Sequence, residues 1–237
     1  MRGIKMSGHK ARKDEAEKPF WISFSDLMTA MMVLFLVAMT VALLAITHEI
    51  SEADKKKVHR EDEITKLLNR ISEATKDYPG VVVRGHSIDF GDQARFATAK
   101  HELTDEQSSM LRSFVPKILA AARDPLGQKW LKRVVVEGFA DERGTYIQNL
   151  NLSLQRSERV LCVLMANEQE VPDALSEKDR LMIRDIFLVG GSSFNSLKES
   201  QDESRRIELK LEFLDIGEQR PAPRNVSLDN DPHCPLD

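Results

Sequence analysis

From Ile22 to Ile46 the chain runs 25 residues without a lysine, arginine or glutamate. At about 1.5 Å per residue, a helix of that length exceeds the roughly 30 Å hydrocarbon core of a bilayer. A cleaved signal peptide has a shorter apolar region that ends at a small-x-small exit. Here the run is longer, and no Ala-x-Ala site follows it. The sequence therefore predicts an uncleaved transmembrane helix over residues 20–47, preceded by a short tail, 1–19. Arg2, Lys5, Lys10, Arg12, Lys13 and Lys18 precede the helix, whereas Glu49, Glu52 and Asp54 follow it before the basic run Lys55 to Lys57. The positive-inside rule then puts the N-terminus in the cytoplasm and everything after the helix outside the inner membrane, in the periplasm. Pro19, Phe20 and Trp21 fall at the cytoplasmic interface, where an indole ring prefers to sit.

Asp26 breaks the apolar run. It lies about 7 Å inside the interface, where an ionised carboxylate is costly and no basic residue of the same helix can pair with it. Helical spacing puts Ser23, Asp26 and Thr29 along one face, continued by Ala30 and Val33. That face is small and weakly polar, suited to close contact with another helix. Two readings follow. In one, the carboxylate snorkels to the near interface and does nothing. In the other, Asp26 is a reversible proton or sodium site shielded by partner helices, with Ser23 and Thr29 supporting the ion path.

Residues 48–80 carry interspersed charges of both signs, with Ile50, Ala53, Ile64, Leu67, Leu68 and Ile71 at loosely helical spacing. They read as a charged linker, wholly or partly helical, ended by Tyr78-Pro79-Gly80. A folded domain is expected over 81–214. Val81 to Arg84 and Ser87 to Phe90 read as short strands, and Lys132 to Phe139 as a longer one. Thr104 and Gln107 form a capping box for a helix that carries Met110, Leu111, Phe114, Ile118 and Leu119. A second helix is expected from about Asn151 to Met165, with Leu154, Val160, Leu161, Leu164 and Met165 inward. A third is expected over 176–183, capped by Ser176. Asp185 to Val189 and Arg205 to Leu214 complete the strands. Strands alternating with helices give a layered α/β sandwich. Residues 215–237 hold Pro221, Pro223, Pro232 and Pro235 and read as a mobile tail.

The net charge of −4 argues against a nucleic-acid partner. No GxGxxG, Walker A, HExxH or GxSxG pattern occurs, so the reading is not an enzyme and needs no bound cofactor or metal. The two cysteines, Cys162 and Cys234, form no CxxC; in an oxidising compartment they pair with each other, and otherwise one is a buried thiol and the other lies in the tail.

The run from Trp21 to Val37, Trp-Ile-Ser-Phe-Ser-Asp-Leu-Met-Thr-Ala-Met-Met-Val-Leu-Phe-Leu-Val, resembles the transmembrane signature of MotB-type stator subunits. The resemblance implies that Asp26 binds the translocated proton or sodium ion. It also implies a homodimer inside a ring of MotA-like subunits, and a linker that gates ion flow. The domain holds a second motif: Val136-Glu-Gly-Phe-Ala-Asp141-Glu-Arg-Gly144, then Asn149, Leu152-Ser153 and Arg156. It resembles the OmpA-like peptidoglycan-binding domain, whose aspartate and arginine are likewise fifteen residues apart. That resemblance implies an α/β fold in which Asp141, Asn149 and Arg156 bind the diaminopimelate of a stem peptide: the carboxylate takes the ammonium and the guanidinium takes the carboxylate. From spacing alone, an ordinary Asp141–Arg156 ion pair between loop and helix fits as well. Ala140 stands where that family has threonine, and Ser200-Gln201 where it has Gly-Arg. Ser204-Arg205-Arg206-Ile207-Glu208 fits the end of the later family pattern, with Arg205 or Arg206 either supporting the site or lying in surface ion pairs. The wording around Asp26 and the short linker are more similar to the stators of Zorya anti-phage systems, with a ZorA-type partner, than to flagellar ones. A flagellar stator subunit and a passive wall tether without ion transport are the alternatives.

Overall fold

A computed structural model describes residues 14–222 and 234–236, with side chains from Trp21 onward. The basic residues from Arg2 to Lys13 and most of the proline-rich tail lie outside the described residues. The chain divides into two units, Met1–Val58 and His59–Asp237. One helix, α1 (Asp14–Thr75), carries the division within it.

In the first unit every described side chain of α1 is exposed, the apolar run Ile22 to Ile46 included, with Leu34 at 69% and Phe35 at 68% of their full accessibility. A surface of this kind needs lipid or partner helices to cover it. Among the described residues, α1 is the one helix long and apolar enough to cross a membrane.

The second unit is built on a five-stranded sheet, ordered β1 (Val82–Arg84), β2 (Ser87–Asp89), β5 (Ile207–Phe213), β3 (Leu131–Gly138), β4 (Phe187–Gly191). β3 and β4 run parallel and the other pairs antiparallel. Alternation does the layering. Leu131, Val134 and Val136 of β3 and Ile207, Leu209 and Leu211 of β5 are buried. Facing away from them, Arg133 pairs with Glu212 and Lys210 with Glu137. Helices α2 (Asp105–Arg123) and α4 (Tyr146–Met165) cover the apolar face through Leu111, Phe114, Ile118, Val160 and Leu164, joined by Ile183 and Ile186 of α5 (Glu177–Ile186). This is the α/β sandwich that the sequence predicts.

Several boundaries move, each for a visible reason. The folded unit starts at His59 rather than at residue 81, because the last turns of α1 are part of the core. Ile64, Leu67 and Ile71 are buried, and Glu63 accepts hydrogen bonds from Trp130 Nε1 at 2.7 Å and Lys129 Nζ at 2.5 Å. Arg60 Nε donates to Leu214 O at 2.8 Å. Residues 59–75 therefore form an amphipathic helix docked by its i, i+3, i+7 stripe rather than a solvated spacer. α4 begins at Tyr146, five residues before the expected start, because Thr145 and Gln148 make a reciprocal capping box. Leu154 is exposed rather than inward, lying against Gly191 of the edge strand β4. α5 runs through to Ile186, so β4 starts at Phe187 and not at Asp185. A short helix that the sequence reading lacks, α3 (Pro125–Trp130), is capped by Asp124, whose side chain accepts from Leu126 N. The tail is tied back: Cys234 is bonded to Cys162 of α4, and Arg220 Nη2 donates to the carbonyls of Gly127 and Leu131.

Candidate functional site

Each unit carries one set of candidate residues. In the first, Ser23, Asp26 and Thr29 lie on α1 and are exposed. Thr29 Oγ1 donates to Ser25 O at 2.7 Å, and further along Thr40 and Thr47 donate to carbonyls one turn back. These hydroxyls are satisfied within the helix and still present lone pairs outward. Asp26 forms no ion pair among the described residues, so the acid is offered at the helix surface.

In the second unit the sequence brings three candidates to one loop. Strand β3 ends at Gly138, where a Cβ would meet Ser153 O at 2.0 Å; only glycine lets α4 approach the strand this closely. The chain continues through Phe139 and Ala140, whose amides donate to Arg206 O at 3.0 Å and Ser193 O at 2.8 Å, and so delivers Asp141 to the rim. Asp141 Oδ1 accepts from Arg143 N at 3.1 Å, closing an Asx turn. Gly144 then takes φ +101°, and Thr145 caps α4. Asn149 Nδ2 donates to Arg143 O at 2.9 Å and fixes the far side of the turn.

Arg156 enters from below and is completely buried. Nε donates to Lys100 O at 2.9 Å, Nη1 to Phe139 O at 2.6 Å and Nη2 to Ala97 O at 3.3 Å. The guanidinium also lies 5.0 Å from the Phe96 ring centroid. Burial, with the Arg205 charge adding to it and the Asp141 charge opposing, lowers its pKa to about 10, so it stays charged at neutral pH. Arg156 is thus the pin that joins loop 97–100 to the Asp141 loop.

Asp141 makes its ion pairs with Arg143 and Arg205, not with Arg156. Arg143 approaches Oδ2 through Nη2 at 2.5 Å and Nε at 3.2 Å. Arg205 Nη1 reaches the same oxygen at 3.1 Å while its Nε donates to Phe96 O at 2.9 Å. Asp141 is 6% exposed. Burial would raise its pKa, but the hydrogen bonds from Arg143 and Arg205 outweigh burial and hold the carboxyl below the usual range. Two non-glycine residues with positive φ, Ala99 at 55° and Ser193 at 52°, frame the site. One lies in the loop that Arg156 pins; the other receives the Ala140 amide. Such backbone costs about 1–3 kcal/mol and persists where the surroundings over-determine it.

Arg143 was not among the sequence candidates, although it stands inside the Asp141–Gly144 motif. Thr98, which accepts from Arg143 Nη2 at 3.1 Å, had no sequence signal. Arg205 supports the site directly; Arg206 turns away, over the Phe139 ring at 4.0 Å and onto Glu208 at 2.7 Å.

No family model matches the chain. It is 42% identical over 222 residues to the Zorya protein ZorB of Escherichia coli O139:H28 (strain E24377A / ETEC), covering 92% of this chain and 90% of that protein. Among solved structures, it is similar to the cell wall anchor of the type VI secretion system from Pseudomonas aeruginosa, with 23% identity, 61% of this chain and 96% of that one covered, and a TM-score of 0.38. The periplasmic domain of Helicobacter pylori MotB matches with 12% identity, 56% and 82% coverage, and a TM-score of 0.36.

Proposed function

The chain belongs to the family of the Zorya protein ZorB, and from that membership we propose that it is the wall-anchored stator subunit of an ion-driven inner-membrane motor that acts in defence against phage. Asp26 carries the reading, as an acid set in a 25-residue apolar run that is exposed along its whole length on α1. In this account two copies pair inside a ring of MotA-like, ZorA-type subunits. Asp26 takes and releases the passing proton or sodium ion, with Ser23 and Thr29 supplying oxygen ligands beside it. Binding neutralises the carboxylate, which changes its contact with the partner helices, and the ring steps. The drive is the ion gradient, about 2.3 kcal/mol per charge per 100 mV.

The second unit holds the dimer still. Asp141 meets the ammonium of diaminopimelate. The ligand cation replaces Arg143, whose half-exposed side chain swings out, while Arg205 stays. Asn149 keeps the turn shaped for the exchange, and Arg156 holds both loops in place beneath the carboxylate. The Cys162–Cys234 disulfide supports a periplasmic location for this unit, since such bonds persist in oxidising compartments.

The test is ion flux in proteoliposomes holding the chain with its MotA-like partner, under an imposed proton or sodium gradient. The account predicts flux of one of these ions with the natural chain and at least a tenfold loss with Asp26→Asn, the size of a required group rather than a modulating one. Equal flux through both would overturn it.

A further inference from the structure

Beside the Asp141 loop, on the β1–β2 side, lies a polar cavity of about 330 Å³. Its size falls within the range of small-ligand sites. It is continuous with the Asp141 site through ion pairs: Arg205 joins Asp141 to Asp202, and Asp202 Oδ2 accepts from Arg95 Nη1 at 3.0 Å. Arg95 lines the cavity wall.

Two cations of the cavity differ from every arginine of the Asp141 site. Arg84 reaches Asp89 only at 3.9 Å. Lys198 Nζ stands 3.5 Å from Asp89 and 3.9 Å from Glu208. At these distances charge attracts but no short hydrogen bond closes. By contrast Arg206, in the same wall, is bonded at 2.7 Å to Glu208 and fully engaged. Arg84 and Lys198 therefore hold donors toward the cavity that a carboxylate can take. The neighbouring acids keep the cavity close to neutral, which suits an amphoteric ligand better than a free multivalent anion.

We propose that this cavity is a second ligand subsite, which receives a free carboxylate of the same stem peptide whose ammonium meets Asp141. The inference rests on the wall-binding reading and extends it. The ligand is then gripped at two points of opposite charge, so recognition depends on the spacing between an ammonium and a neighbouring carboxylate. Amidation of that carboxylate, which removes its charge, weakens the grip.

The experiment measures binding of the full chain in nanodiscs to two soluble probes. One is a disaccharide–tetrapeptide with a free glutamyl α-carboxylate; the other is the same molecule amidated there. The natural chain is expected to prefer the acid about tenfold, the scale of one charge-assisted hydrogen bond. The double variant Arg84→Gln, Lys198→Gln changes two partly exposed side chains and is expected to bind both probes equally, at the level of the amide. An unchanged acid-to-amide ratio in a variant that still binds overturns the subsite and leaves the Asp141 site standing. Binding of neither probe by the natural chain overturns the wall-binding reading, and the subsite with it. Lys66→Gln, an exposed cation of α1 outside both the cavity and the Asp141 site, controls for a general electrostatic effect; it should keep the preference, and loss of the preference there would count against the cavity.

Discussion

A carboxylate can leave water only where donors replace the hydration it loses. Asp141 finds a backbone amide and two guanidiniums, and they are not equivalent. Arg143 is half-exposed; Arg205 and Arg156 are buried. Replacing Arg143 by alanine removes a partly screened pair and changes stability by no more than about 1 kcal/mol. Replacing Arg156 by alanine frees three carbonyls, the buried one of Phe139 among them, and unpins two loops, with a loss of about 3 kcal/mol or more. Thermal unfolding of the full chain in detergent distinguishes the two, and comparable losses would contradict the pin. The pH dependence follows from the same geometry. The folded carboxyl of Asp141 ionises below the unfolded value of about 3.9. Its contribution is complete above that value and is lost as pH falls through the lower folded one, so binding through Asp141 stays flat from about pH 5 to 8. The spacing of fifteen between Asp141 and Arg156 was legible in the sequence. Their relation was not: Asp141 pairs with an arginine 64 residues away, and a local motif says nothing about which distant strand returns beside it.

Elements with their own punctuation were readable, and those defined by docking were not. The Thr104–Gln107 box gave the start of α2 outright, since both halves of the cap are local. The Thr145–Gln148 box, equally local, lay behind a glycine turn that drew the expected start of α4 too late. The last turns of α1 show the harder limit. The stripe Ile64, Leu67, Leu68, Ile71 is the same whether a helix is solvated, paired with a copy of itself or packed on a domain, and the conspicuous Tyr78-Pro79-Gly80 break invites a boundary after it. The structure puts Leu67 in the core and leaves Val58 exposed. Leu67→Ala therefore costs about 3 kcal/mol, while Val58→Ala stays within about 0.5 kcal/mol. Chemical unfolding followed by circular dichroism reads the difference. Similar effects for the two would return residues 59–75 to the role of a spacer.

At the scale of the whole molecule, the two units answer to different solvents. The first exposes a long apolar helical run that would be covered in lipid or against other helices; the second closes its own core and carries a disulfide across 72 residues of sequence. A cross-link of that span stabilises a fold by about 2–4 kcal/mol. Cells should contain the bonded form, migrating faster on non-reducing than on reducing gels; Cys234→Ser should abolish the difference and lower the melting temperature by several degrees, about 2–4 °C per kcal/mol at this size. A fully reduced protein in cells would contradict the periplasmic assignment. What joins the units is the claim that an acid in the membrane drives work against a wall. Plaque formation on cells carrying the intact operon, compared with the operon carrying Asp26→Asn, tests that claim most directly, because the change keeps the size of the side chain and removes its charge. The account predicts full sensitivity to phage in the variant with the protein still present in the membrane. Undiminished protection would contradict it and leave a passive tether.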